Sequence, residues 1–306
     1  MKRFNHLIIV VWCLSLITLF YSTFSAQETV KDTTEFPRVV FAFDRAMLLE
    51  AEIKDIQAAN DLWMKKIGEK TGYIIESYIY NNLDSLLRDY RKGFVDIMSF
   101  APVNYLRLEK KLLNVEPCFA TVVGGKKTRK LLLIVRSDSA YSGIQEFRGR
   151  KIAIMKNYEM DYIYLNTLLL RKKLGKAEKF FSAIIEKTKY SQAILSVFFG
   201  QTDACIATDL VLQTMIELNP QVGSKLKIIA SSPEMIHMVA YRRASMDKRI
   251  KDDGLREILN LNNTTLGRQG LVLFGADRFI PLFESNLDTV RELIIEYNEL
   301  LKKNKF

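Results

Sequence analysis

GFVDIMSFAPVNY, residues 93–105, holds a helix end, a buried strand and a helix start in one short run. Gly93 follows Leu83, Leu86, Leu87 and Tyr90, apolar positions at helical spacing, and predicts a glycine that closes a helix. Val95–Ala101 is short and mostly apolar, the pattern of a strand covered on both faces in a parallel sheet. Pro102 stops that strand and opens the next helix, with Tyr105 on its first turn. In open α/β sheets, ligands bind beyond the carboxyl ends of the strands, where helix N-termini point. Pro102 and Tyr105 are therefore expected on the rim of a cleft. The competing reading packs Tyr105 at the helix start.

Working outward, strand and helix patterns alternate in both directions. Upstream lie strand 38–44, helix 53–70, with Gly72 beyond its end, a β-rich run 73–80 and helix 83–92. Downstream, Val115–Val123 and Arg129–Arg136 read as strands joined by a GGKKT turn, and the basic cluster Lys126–Lys130 reads as a solvated part of it. The polar stretch 137–149 is the expected crossover. A second series follows: strand 151–155, helix 161–174, strand 180–185, helix 191–199, strand 203–207, helix 209–218 and strand 226–230. Ser231-Ser232-Pro233 then leads to a return strand, 238–242, and the chain closes on an amphipathic helix carrying Leu287, Val290, Leu293, Ile294 and Tyr297 on one face. Two α/β lobes joined by two crossings follow from this order, with lobe 1 over 27–136 and 238–306 and lobe 2 over 137–237. Such lobes close around a ligand by bending at the hinge.

Residues 1–26 read as a signal peptide or an N-terminal membrane anchor. Lys2 and Arg3 precede the apolar run Leu7–Tyr21, and Thr23, Ser25 and Ala26 suit cleavage after Ser25 or Ala26. The expected location is periplasmic or otherwise extracytoplasmic. The whole chain carries a formal net charge of +10, and loss of Lys2 and Arg3 leaves a basic body. Export and the absence of zinc-finger spacing argue against nucleic acid, which leaves anionic small ligands or an anionic surface. Beyond Cys13 in the apolar run, Cys118 and Cys205 sit in different lobes and are expected as buried free thiols. His237 is the one histidine after the leader, so no His-based metal cluster can form. No Walker A loop, G-x-S-x-G or G-x-G-x-x-G occurs. No enzyme and no cofactor are expected.

The chain resembles the periplasmic substrate-binding proteins of phosphate, phosphite and phosphonate ABC transporters, which have the type 2 periplasmic binding protein fold. Four elements in order carry the resemblance: Gly93, Asp96, Phe100, Pro102 and Tyr105; the run SQAILSVFFGQTDA at Ser191–Ala204; Ser231-Ser232-Pro233; and Gly267, Arg268, Gly270 and Leu271 with Phe279 and Pro281. The resemblance implies an α/β fold of two lobes, each a mainly parallel sheet flanked by helices. It also implies a monomer that traps a small, anionic, phosphonate- or phosphate-like ligand and presents it to an ABC permease. Two departures stand out. Met155–Met160 lacks the hydroxyl pair with which the family holds phosphonate oxygens, and Tyr190 stands where the family often has histidine. These departures and the long apolar N-terminus keep a second reading open, a membrane-anchored sensor or interaction module with a membrane signalling partner.

The candidate ligand contacts follow from the strand ends. Asp44 and Arg45 end the first strand, and Arg45 offers a planar fork to an acidic group. Lys156 and Asn157 precede a helix N-terminus, where cation and dipole both favour an anion. Tyr158 and Tyr190 offer flat faces with a hydroxyl. Asp209 either meets the ligand or caps its helix, and Ser231 and Ser232 either meet it or shape the hinge.

Overall fold

The computed structural model describes residues 36–48 and 53–304. The apolar segment expected as a leader or anchor, with Cys13, lies outside these residues. The first lobe begins β1 (Arg38–Asp44), α1 (Ile53–Thr71), β2 (Ile74–Tyr80), α2 (Leu83–Arg91), β3 (Ile97–Phe100), α3 (Pro102–Leu108) and β4 (Val115–Val122). Local chemistry sets these limits. Asn82 accepts from the amides of Asp84 and Ser85 to start α2, Gly93 takes φ +79° just past its end, and Pro102 is the first residue of α3.

The chain then crosses to the second lobe through β5 (Thr128–Arg129). That lobe comprises β6 (Leu131–Arg136), β7 (Lys151–Met155), α4 (Glu159–Arg171), α5 (Ala177–Phe180), β8 (Ala183–Lys187), α6 (Tyr190–Phe198), β9 (Ala204–Thr208), α7 (Asp209–Leu218), α8 (Pro220–Lys225) and β10 (Leu226–Ser231). It returns through β11 (Met235–Ile236) to β12 (Val239–Arg243), α9 (Lys248–Leu259), α10 (Thr265–Leu273), β13 (Arg278–Pro281) and the terminal α11 (Asp288–Lys303).

Six strands form the first sheet in the order β13-β4-β12-β3-β1-β2, and five form the second, β10-β6-β9-β7-β8. Each sheet is mixed rather than mainly parallel. The βα halves are parallel, β2-β1-β3 and β8-β7-β9. The first strand after each crossing, β6 in the second sheet and β12 in the first, runs antiparallel to them, because it is entered from the opposite lobe. On β1 the side chains alternate. Val40 and Ala42 join a core with α2 and α3, while Val39, Phe41 and Phe43 join one with Trp63 and Met64 of α1.

Three expectations about lobe limits are corrected. β6, expected in lobe 1, is a central strand of the second sheet, and its LLLIV run is buried on both sides. The first crossing therefore lies before β6, at 123–130, and not at 137–149. There β5 pairs with β11, tying the two crossings into one ribbon. The terminal helix, expected with lobe 1, packs Val290 and Leu293 into the core of lobe 2. Arg171 of α4 makes two hydrogen bonds to Glu296, and Arg291 makes two to Glu109, just after α3. α11 thus holds both lobes. A smaller correction concerns 180–185, where the strand starts only at Ala183, after the short α5. Cys118 in β4 and Cys205 in β9 are buried free thiols, one in each sheet.

Candidate functional site

Between the lobes lies a cleft of about 1200 Å³. Lobe 1 lines it with the end of β1, the start of α2 and one side of α3; lobe 2 lines it with the β7–α4 loop, α4 and the end of β8. The stretch 93–105 does reach this cleft, but through Asn104 instead of Tyr105. Asn104, Arg107, Leu108 and Lys111 follow i, i+3, i+4 and i+7, so one stripe of the chain faces the cleft. Tyr105, the next residue round the helix from Asn104, turns inward. It is 3 % exposed and stacks on Tyr241 with ring centroids 3.7 Å apart and planes 6° from parallel. Burial pushes its hydroxyl up to about 12. Tyr105 is a core residue, and Pro102 is buried beside it.

Asp44 lines the cleft yet is itself buried. One carboxylate oxygen accepts from the amide of Ala46 at 3.0 Å. The other accepts from the amide of Ala101 at 3.1 Å and from Nδ2 of Asn104 at 2.7 Å. The protein's own carboxylate therefore occupies the entrance to α3, an end of a helix that favours negative charge. Desolvation holds its pKa above the ordinary carboxylate value despite these donors. Arg45 lines the cleft beside it and donates to the carbonyl of Leu48.

Across the cleft, Lys156 and Asn157 are exposed at the tip of the β7–α4 loop. Asn157 takes φ +57°, a left-handed turn that asparagine tolerates better than most residues. α4 starts at Glu159 with no side chain capping its first amides. Tyr158 is buried against the cleft floor. Its hydroxyl accepts from Nη2 of Arg129 at 2.5 Å, and the guanidinium lies 5.4 Å from its ring centroid. Tyr190 is fully buried behind Tyr158, with rings edge to face, and its hydroxyl donates to Oδ1 of Asp161 at 2.7 Å. Oδ2 of Asp161 accepts from the amide of Met155. Burial pushes the Asp161 carboxyl up to about 7.

The remaining candidates fall outside the cleft lining. Asp209 begins α7, but Thr208 caps that helix. The Asp209 carboxylate accepts from the amide of Lys130 and so steadies the first crossing. Ser231 is exposed in β10. Ser232 is buried, accepting from the amide of Leu131 and donating to the carbonyl of Pro233. Ser231 therefore ends the edge strand of the second sheet, paired with Leu132, and Ser232 belongs to the hinge. So does His237, which is buried between β11 and β12 with its imidazole lowered to about 4, chiefly by burial and then by the Arg129 charge.

Sequence reasoning missed Arg129 and Asp161, which lie behind Tyr158, and Asn104, Arg107 and Glu159, which line the cleft. Arg107 and Glu159 meet across the cleft at 2.7 Å, one from each lobe. The polar stripe of α3 is a usable signal for Asn104 and Arg107. Nothing local marks Arg129, which reads as part of a solvated turn and is 8 % exposed. In total the cleft mixes Arg45, Arg107, Lys111 and Lys156 with Asp44, Asp84, Glu159, Glu178 and Glu186. It is polar and charged of both signs, not a purely cationic pocket.

Solved structures share this fold. The binding-protein component of a phosphonate ABC transporter from Pseudomonas aeruginosa aligns with a TM-score of 0.66 at 14% identity, over 88% of this chain and 89% of that one. PhnD1 from Prochlorococcus marinus, solved with methylphosphonate, gives 0.63 at 15% identity over 85% and 98%. A Xanthomonas citri protein bound to ATP gives 0.63 at 16% over 87% and 98%. At these identities the likeness is one of fold. The sequence itself matches the family described as ABC transporter, phosphonate, periplasmic substrate-binding protein over residues 46–287, well over half of the chain. The chain belongs to the family of periplasmic substrate-binding proteins of phosphonate ABC transporters.

Proposed function

We propose that this protein captures a small anionic solute between its lobes outside the cytoplasm and delivers it to an ABC permease. The observation that carries this reading is the interlobe cleft spanned by a two-strand hinge. Lys156, Arg45 and the N-terminus of α4 would hold the anionic group, a phosphonate or phosphate. Contacts to both lobes exist only when the lobes approach, so binding would favour the closed form. Glu159, Glu178 and Glu186 stand on the same wall of the cleft, and they would accept an ammonium carried by the same molecule.

The test is a thermal-shift screen with phosphate, phosphite, methylphosphonate, an aminoalkylphosphonate, sulfate and small carboxylates. A ligand at ~100 times its Kd adds roughly 2.7 kcal/mol, a shift of several degrees. A saturable shift with a phosphonate or phosphate, lost in Lys156→Ala, supports the reading. A shift that survives Lys156→Ala removes this placement of the anion. No shift with any member favours the second reading, a membrane-anchored sensor or interaction module. That reading draws on the missing hydroxyl pair at 155–160 and on the Asp44 carboxylate filling the entrance to α3.

A further inference from the structure

The face of the six-stranded sheet away from α2 and α3 borders a second chamber, apart from the interlobe cleft. It lies between the sheet, α1 and α9 and has a volume of about 330 Å³. Phe41, Phe43, Trp63, Met64, Phe119 and Met238 line it, each at most 8 % exposed. Protein interiors leave few voids larger than a water molecule, and an apolar cavity of roughly half this size stays dry. A chamber this large and apolar suits an organic ligand better than solvent.

Where the lining reaches solvent, its chemistry changes. Lys70, Arg249 and Arg256 are exposed there, with Arg242 and Lys251 deeper, against the carboxylates of Asp253 and Glu257. Glu116 pairs with Arg242 and Lys251, and Asp253 is shared between Arg249 and Arg256. Among the described lining residues, five cations stand with two carboxylates, and Glu116 and Asp252 lie beside Arg242 and Lys251 from outside the lining. An apolar interior under a cationic rim is complementary to a hydrocarbon chain with an anionic head.

We propose that this chamber binds a single-chain amphiphile of the medium-chain fatty acid class, with its tail against Phe41, Trp63 and Phe119 and its carboxylate at Lys70, Arg249 and Arg256. The site is independent of the ligand held between the lobes.

Gly254 of α9 supplies the probe. It lines the chamber, and a Cβ there meets nothing within 4 Å. Gly254→Leu places a side chain in that open space and improves helix propensity, so the fold is retained. The full chain is titrated with octanoate, decanoate and dodecanoate, read by tryptophan fluorescence and calorimetry. Trp63 is one of two tryptophans in the sequence and lies in the chamber wall. The expected result is one saturable site, with affinity rising roughly fourfold per added methylene until the chamber is full. Gly254→Leu should weaken dodecanoate at least tenfold, as should the surface variant Lys70→Glu/Arg249→Glu. Dodecyltrimethylammonium, with the same tail and the opposite charge, should bind at least tenfold more weakly. Absence of saturable dodecanoate binding overturns the proposal. So does undiminished binding in a folded Gly254→Leu, or equal affinity for the cationic amphiphile.

Discussion

Tyr105→Ala separates the core from the cleft, because the sequence pattern allows Tyr105 to belong to either. In the structure its ring is 3 % exposed, stacked on Tyr241 and packed near Phe100. Truncating a buried aromatic costs ~3–5 kcal/mol, since the transfer free energy is lost and the surrounding side chains only partly close the cavity. For a body of this size each kcal/mol moves Tm by about 2–4 °C. The expected loss is therefore roughly 6–20 °C, large against the ~5–15 kcal/mol that holds a typical domain folded. Lys156→Ala is the control. That side chain is exposed at the cleft, and its removal should change stability by no more than about 0.5 kcal/mol. Thermal unfolding followed by circular dichroism, with urea midpoints alongside, measures both. A Tyr105→Ala protein melting within about 3 °C of the parent would refute the core assignment. So would a Lys156→Ala protein that lost as much stability.

Two buried ionisable groups should show opposite pH signatures. Burial lowers His237 from 6.5 to about 4, so its contribution is present above pH 6.5 and is lost as pH falls towards 4. Burial raises Asp161 from 3.8 to about 7, so its contribution is present below pH 3.8 and is lost as pH rises through 7. Relative to the parent, Asp161→Asn should therefore lose Tm more steeply on acidification from pH 7 to 4, and His237→Gln less steeply. Slopes identical to the parent in both variants would contradict these environments. Asp96 accepts from the amide of Val40 at the strand entrance, away from the cleft, so Asp96→Ala should cost ~1–3 kcal/mol in urea unfolding; an unchanged midpoint would dismiss that role. Arg107 and Glu159 join the lobes, but Arg107 is exposed and Glu159 only partly buried, so Arg107→Ala should cost no more than about 1 kcal/mol. A loss of several kcal/mol would mean that the pair holds the lobes far more strongly than its exposure allows.

The sequence by itself determined the family and most of the order of elements, though it did not delimit α9, α10 and β13 between the return strand and the terminal helix. β1, β7 and α7 fall at the residues read from the sequence, and most other elements begin or end within a residue or two of the expected positions. Those signals are local: helical spacing, Gly93 at a helix end, Pro102 at a helix start, and short apolar runs. What the sequence left undecided depended on which strands pair. Residues 131–136 read as the far arm of a turn with β4, because adjacent strands commonly pair, yet β6 lies between β9 and β10 in the other sheet. That change of partner moves the hinge to the basic segment 123–130 and buries Arg129 beside Tyr158. The same limit governs the site. A one-residue step along α3 is a turn of about 100°, enough to send Asn104 to the cleft and Tyr105 to the core. Only the packing of that helix between sheet and opposite lobe decided which face was which. Asp44 makes the point from the other side: its place at a strand end was legible, but its carboxylate satisfies an amide brought to it from 57 residues away. Local propensity fixes where elements start and stop; long-range burial decides which side chains remain free for a ligand.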